Sequence, residues 1–314
     1  MSLDADTLTD RRRLKRRLFF WRAGAVLAVA VALIVLVAET GWPGRSHIAR
    51  VEIAGIVVDD RLQRDMLEKI ARDPNVKGVI LAIDSPGGTT TGAEALYEAI
   101  RKVAEEKPVV AVLGTVAASG GYIVAMSADR IIARGNTITG SIGVIFQWAQ
   151  LDELLKHIGI EMHDVKSAPL KAEPGPFNRP SPEALRVTKD LVDSSYGWFL
   201  RLVAERRGMD EATALRLGDG RVFTGWQAVE NGLVDEIGSE AQARTWLAEA
   251  HGIDAGLPVR DWEPAYPGLG FAGFAGRALG ETIIVAGQVV AGKTQQTKRL
   301  TLDGLTSVWQ PDRQ

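Results

Sequence analysis

Ser119 lies between Ala118 and Gly120-Gly121, in a stretch (115–129) that passes from small residues to a helical pattern at Tyr122, Ile123, Val124 and Met126. The apolar run Val109–Leu113 before it reads as a buried strand closed by Gly114. A strand, a tight turn and a helix can expose a nucleophilic hydroxyl, because glycines let a second backbone come close. A serine at a helix N-terminus also lies beside unpaired N–H groups that favour developing negative charge. Taken alone, the same residue reads as a helix cap, a very common use of serine.

A second glycine turn, Ile83–Gly88 (IDSPGG), leaves the apolar run Val76–Ile83 at the end where open α/β sheets bind ligands. Gly87 and Gly88 can turn N–H groups inward to form an oxyanion hole. The bland alternative is an ordinary Pro-Gly turn. Two such turns after successive parallel strands would face one crevice.

A serine nucleophile needs a base. The four histidines, His47, His157, His163 and His251, lie in no glycine-rich or loop context that suggests a site. A lysine can serve if burial keeps it neutral. Lys171 lies in the loop SAPLKAEPGPF, where Pro169, Leu170, Pro174 and Phe177 could exclude water. Lys166 is the local rival, closing an extended run with fewer apolar neighbours, and either could be a solvated surface lysine. Ser141, in the turn Gly140-Ser141-Ile142-Gly143, could orient an amine. The chain has no cysteine, which excludes thiol nucleophiles, disulfides and thiolate metal sites.

These residues need a scaffold. Between 48 and 165, short apolar runs alternate with helical patterns: strands at 48–58, 76–83, 109–113 and 130–133, helices at 61–71, 92–105, after Ser119 and at 151–158, and an extended run at 160–165. Such alternation implies an α/β fold with a mostly parallel sheet covered by helices. A proline-rich loop (167–182) leads to a long helix over 183–207, then helices at 210–217, 225–231 and 240–250. Beyond 251 the chain is rich in Gly and Ala and then polar, which suggests a subunit contact or a loosely ordered tail.

The first 22 residues hold seven Lys and Arg against Asp4, Asp6 and Asp10, so the remainder is net acidic and poorly suited to nucleic acid. Ala23–Ala38 carries no charge, and Leu18–Trp21 supplies the turn it needs to span a bilayer. Aromatics flank it at Phe19, Phe20, Trp21 and Trp42. The expectation is a basic cytoplasmic segment (1–22), an uncleaved signal anchor (23–42), a catalytic domain outside the membrane (43–250) and an extension (251–314). A cleaved signal peptide fits less well, because cutting after Ala38 would leave Leu36 at the −3 position.

Five motifs stand in order: DSPGG at 84–88, ASGGY at 118–122, TGSIGV at 139–144, KSAPLK at 166–171, and GRVFTGWQA at 220–228 followed by NGLVD at 231–235. Together they resemble the signal peptide peptidase A family of bacterial membrane-anchored serine proteases, and more distantly the Clp protease and crotonase fold. The resemblance spans about 48–240. It implies a protomer of stacked ββα units, Ser119 as nucleophile, Lys171 as general base and Ser141 as the residue that holds the lysine. It further implies an oxyanion hole from Gly87, Gly88 and Gly120, and no metal or organic cofactor. The implied partners are peptide substrates such as released signal peptides, the bilayer, and further copies of the chain in a ring of four to eight. Neighbouring subunits would then share a site on the outer face of the bacterial inner membrane. Two departures are visible: the APLK sequence of the lysine loop, and a tail that aligns with no family motif. The competing readings are a crotonase-like acyl-CoA enzyme, which would need neither Ser119 nor Lys171, and a non-catalytic membrane-anchored scaffold.

Overall fold

The computed structural model describes residues 17–29, 45–266 and 305–308. The chain divides into two compact units, Met1–Ser46 and His47–Gln314. In the first, residues 17–29 form a helix (α1) on which Leu18, Phe19, Phe20, Trp21, Val26 and Leu27 are exposed. Much of the anticipated anchor, residues 30–42, lies outside the described residues. Among the described residues no helix is long and apolar enough to cross a membrane.

The second unit is built on a sheet whose central strands are parallel. They are β1 (His47–Val57), β2 (Val76–Thr89), β3 (Val109–Ala118), β4 (Arg130–Ala133), β8 (Glu236–Ile237) and β9 (Val259–Trp262). Their order across the sheet is β9-β1-β2-β3-β4-β8, each pair parallel. Side chains alternate between the two faces. Val79, Leu81 and Ile83 of β2, Val109, Ala111 and Leu113 of β3, and Ile131 of β4 enter one large core. The residues between them, Ile80, Val110 and Ile132, enter a smaller core on the other face with Ile48. Burial on both faces explains why these strands read as unbroken apolar runs.

Helices α2 (Arg61–Arg72), α3 (Thr90–Glu106) and α4 (Gly120–Ala125) contribute to the large core, joined by Phe199, Leu202 and Val203 of α6 (Pro182–Arg207). Helix α9 (Glu240–His251) covers the opposite face through Ala243 and Leu247. Helix ends follow their sequence signals. Asp60, Thr89, Ser181 and Ser239 accept backbone N–H bonds as N-caps, and Gly208 and Gly252 close α6 and α9 in the left-handed conformation. Between α4 and α6 run β5 (Ile138–Gly140), β6 (Ile145–Phe146) and α5 (Asp152–His157). After α6 come α7 (Glu211–Leu217), β7 (Val222–Thr224) and α8 (Gly225–Glu230). The extended run expected at 160–165 forms no strand.

The feature that matters most for the site is a split in the sheet. β2 and β3 stay paired from Val79↔Val109 to Ile83↔Leu113, slip in register, and make a last pair at Ser85↔Ala117. β3 then leaves β2 and pairs with β5 from Val116↔Ile138 to Ala118↔Gly140. Asp84 spans the irregularity, its Oδ1 accepting the Val116 N–H at 3.1 Å. Ser119 follows directly on the residue where β3 has turned away.

Candidate active site

Ser119 is 1% exposed and stands between β3 and α4 with φ 55° and ψ −117°. An N-cap serine ordinarily has extended backbone and accepts an N–H bond from the first turn. Ser119 has neither the extended backbone nor the capping bond. The helix-cap reading therefore fails on geometry. A non-glycine residue in this region is strained by about 1–3 kcal/mol and persists only where the surroundings impose it. The surroundings here are explicit. The Ser119 N–H donates to Gly140 O at 2.8 Å, and its carbonyl accepts from the N–H groups of Tyr122 and Ile123, both at 2.9 Å. A Cβ on Gly121 would lie 2.7 Å from Ser85 O, so only glycine lets the elbow approach β2 this closely. The fully buried Tyr122 hydroxyl donates to Leu233 O at 2.8 Å. Burial pushes this phenol well above its usual range, so it stays neutral.

The DSPGG segment is not a turn but the extended end of β2, which runs on to Thr89. Ser85, fully buried, is its keystone: Oγ donates to Gly55 O at 2.6 Å and accepts the Gly87 N–H at 3.1 Å. The Gly87 N–H is thus engaged by Ser85. Gly88 lies so close to β1 that a Cβ would fall 1.8 Å from Val57 O. Sequence alone assigns Ser85 no role of its own. The one sequence signal for its role was its place inside that motif.

Ser141, at φ 49°, follows the residue whose carbonyl holds Ser119, and its N–H donates to Arg221 O at 2.8 Å. β7 pairs antiparallel with β5, Phe223 opposite Thr139, so the 220–228 motif is the backing of the Ser141 turn. The structure therefore draws together Ser119, Gly120, Ser85–Gly88 and Gly140-Ser141.

It does not draw in Lys171. That residue is exposed on its loop, and no hydrogen bond links it to Ser119 among the described residues. Leu170 and Phe177 are themselves 37% and 41% exposed, so the described residues of one chain do not provide the expected dry setting. The rival Lys166 is paired with Glu173 at 2.6 Å and Asp164 at 2.9 Å. Hydrogen bonds to Glu173 and then Asp164 raise its pKa and favour the charged form, which does not suit a proton acceptor. His157, His163 and His251 are exposed, while His47 is buried and stacked on Trp262.

Comparison with known proteins agrees with this geometry. The model of peptidase family S49 matches residues 101–254, which hold Ser119, Ser141 and Lys171. That of Clp protease matches residues 57–137, which hold the β2 glycines and the elbow. A Synechocystis sp. protein provisionally named a protease is 36% identical over 218 residues, 68% of this chain and 79% of that protein. An Enterococcus faecium protein provisionally named signal peptide peptidase is 39% identical over 178 residues, 56% of this chain and 52% of its own length. Protease 4 of Haemophilus influenzae is 34% identical over 210 residues, 63% of this chain but only 34% of that longer protein. Extensive identity with relatives of similar length, a Clp protease-like α/β sheet and a strained serine at its split make the chain a serine peptidase that belongs to peptidase family S49.

Proposed function

We propose that the chain is a membrane-anchored endopeptidase that cleaves signal peptides and other apolar peptides derived from the membrane. The observation that carries this reading is the elbow at Ser119, a strained backbone whose hydroxyl makes no capping bond. Lys171 Nζ takes the Oγ proton as Oγ attacks the scissile carbonyl. The N–H groups of Gly88 and Gly120 receive the oxyanion, while Gly87 shapes the strand end through Ser85. Lys171 then gives its proton to the departing amine, leaving an acyl-enzyme on Ser119. Water attacks the ester with Lys171 again as base, and Ser141 Oγ orients the amine throughout.

A neutral lysine needs surroundings that exclude water. The exposure of Lys171, Leu170 and Phe177 in one chain supports a base supplied by a neighbouring subunit of a ring of four to eight. The apolar residues exposed on α6 (Leu185, Val187 and Leu191) support the same assembly. The exposed apolar side chains of α1 and the uncharged run that follows support an inner-membrane anchor with the catalytic domain outside.

The test is labelling of the detergent-extracted protein with a fluorophosphonate. Labelling is expected to vanish in Ser119→Ala and to fall at least a hundredfold in Lys171→Ala. Equal labelling of wild type and both variants would sink the reading.

A further inference from the structure

The last described element, β10 (Leu305–Val308), lies far from the rest of the described chain in sequence, and its position is informative. It is hydrogen-bonded between two strands, antiparallel to both. On one side Thr306, Ser307 and Val308 stand opposite Thr89, Gly88 and Gly87 of β2. On the other, Leu305 and Thr306 stand opposite Phe146 and Ile145 of β6. The two walls of this slot are the continuations of the two segments that frame Ser119. β2 enters it from Ser85, which contacts Gly121 of the elbow, and β6 enters it from the Gly140-Ser141 turn that binds the Ser119 N–H.

The slot exists because the sheet splits. β1 accompanies β2 to Val57↔Gly88, but β3 leaves the other edge after Ser85↔Ala117. The edge of β2 that β3 leaves is open to pairing with an extended segment. β10 fills it, and its partners on β2 descend from Thr89 to Gly87, so the chain heads toward Ser85 and the elbow.

We propose that residues 305–308 are a built-in occupant of the peptide cleft, an autoinhibitory strand that incoming peptides must displace. This rests on the reading of Ser119 as the nucleophile of that cleft. Three features suit the role. The strand is four residues long, and its ladder with β6 is only two residue pairs. A short ladder is weak enough to be displaced. The strand is also tethered, which gives it a high effective concentration without strong intrinsic affinity. And it is joined to the cleft by the backbone pairing an extended substrate would use, so the two compete for the same donors and acceptors.

The experiment compares the detergent-extracted full chain with a variant ending at Gly304 and with Thr306→Pro/Ser307→Pro, which keeps the length but removes two strand N–H donors. Fluorophosphonate labelling and hydrolysis of a short apolar fluorogenic peptide are both expected to rise at least fivefold in each variant. A synthetic peptide of residues 301–314 should return the truncated protein to the full-chain rate competitively, and the same peptide with the two prolines should not. A separate arm needs no turnover: anisotropy of the fluorescein-labelled peptide with the truncated chain carrying Ser119→Ala. Saturable binding there, abolished by the prolines, supports strand occupancy of the slot independently of turnover, so a failure of the peptidase reading is told apart from a failure of the strand. Absence of binding, with equal labelling of full and truncated chains, overturns it.

Discussion

At the scale of single residues, the site trades stability for a positioned hydroxyl. Ser119 occupies a backbone region that glycine enters freely, at a cost to serine of about 1–3 kcal/mol. Glycine would lose more freedom on folding, by about 0.5–1 kcal/mol. Ser119→Gly should therefore abolish activity yet raise unfolding stability by about 1 kcal/mol, measured by urea denaturation, while Ser119→Ala removes activity without that gain. Ser85 acts differently, since its Oγ satisfies both Gly55 O and the Gly87 N–H in a buried place. Ser85→Ala should cost about 1–3 kcal/mol and lower kcat more than it raises KM, because the strand end that carries Gly88 loses its tie. Steady-state kinetics and a denaturation curve check both halves. The sequence could mark Ser119 only through its company, since its positive φ has no sequence signature. The bond from Ser85 to Gly55 joins residues thirty apart, which no local pattern reveals.

Elements with one or two apolar faces were legible, because burial leaves a periodic trace. β4 runs over the four residues its apolar run marks out, and α2, α3, α6 and α9 begin and end close to their capping signals. β2 and β3 were read too short, since their last residues form a strand by pairing rather than by hydrophobicity. Pro86 sits where β1 and β2 slip in register beside Gly55, the kind of irregularity that tolerates a residue without an N–H. The stretch 160–165 shows the converse: strand-like residues find no partner edge. Helix α4, only six residues long, owes its placement to its neighbours. Tyr122 fastens its first turn to Leu233 O, and Arg206 of α6 donates to Met126 O at 2.8 Å and Ala128 O at 2.9 Å just beyond its end. Tyr122→Phe leaves a buried carbonyl without its donor and should lower stability by about 1–3 kcal/mol, with a parallel loss of kcat, since α4 carries the elbow.

At the scale of the whole molecule, several carboxylates are held in their charged form, three by partners close in sequence and Asp261 by a partner on another strand. Asp261 is held below the usual carboxylate range by the Arg50 guanidinium, Asp219 by Arg221, Asp210 by the Thr213 N–H and Asp152 by Gln150. Each folded pKa lies below its unfolded value. Their contribution is therefore complete above the unfolded carboxylate pKa of about 4 and disappears as pH falls through the folded values. The urea midpoint should be level near neutrality and drop below about pH 4, and Asp261→Asn should flatten that drop. Reversal, with stability rising on acidification, would contradict the pairing. The cation Arg50 reaches Asp261 and Glu240 together, joining β1 to β9 and the start of α9, so this variant probes the sheet edge rather than the catalytic face.

The departure of β3 from β2 also bears on what the enzyme can admit. On the proposal that the slot between β2 and β6 takes the peptide, a cleft walled by two strand edges would inspect the main chain before side chains. A polypeptide must be locally unfolded and extended to enter, and must offer an N–H where the walls offer a carbonyl. Folded domains, helices and segments with proline at the pairing positions would then be turned away whatever their sequence. Conformation would thus be the first criterion of selection, and a peptide freed from a helical setting would become acceptable at the moment it loses its own internal hydrogen bonds.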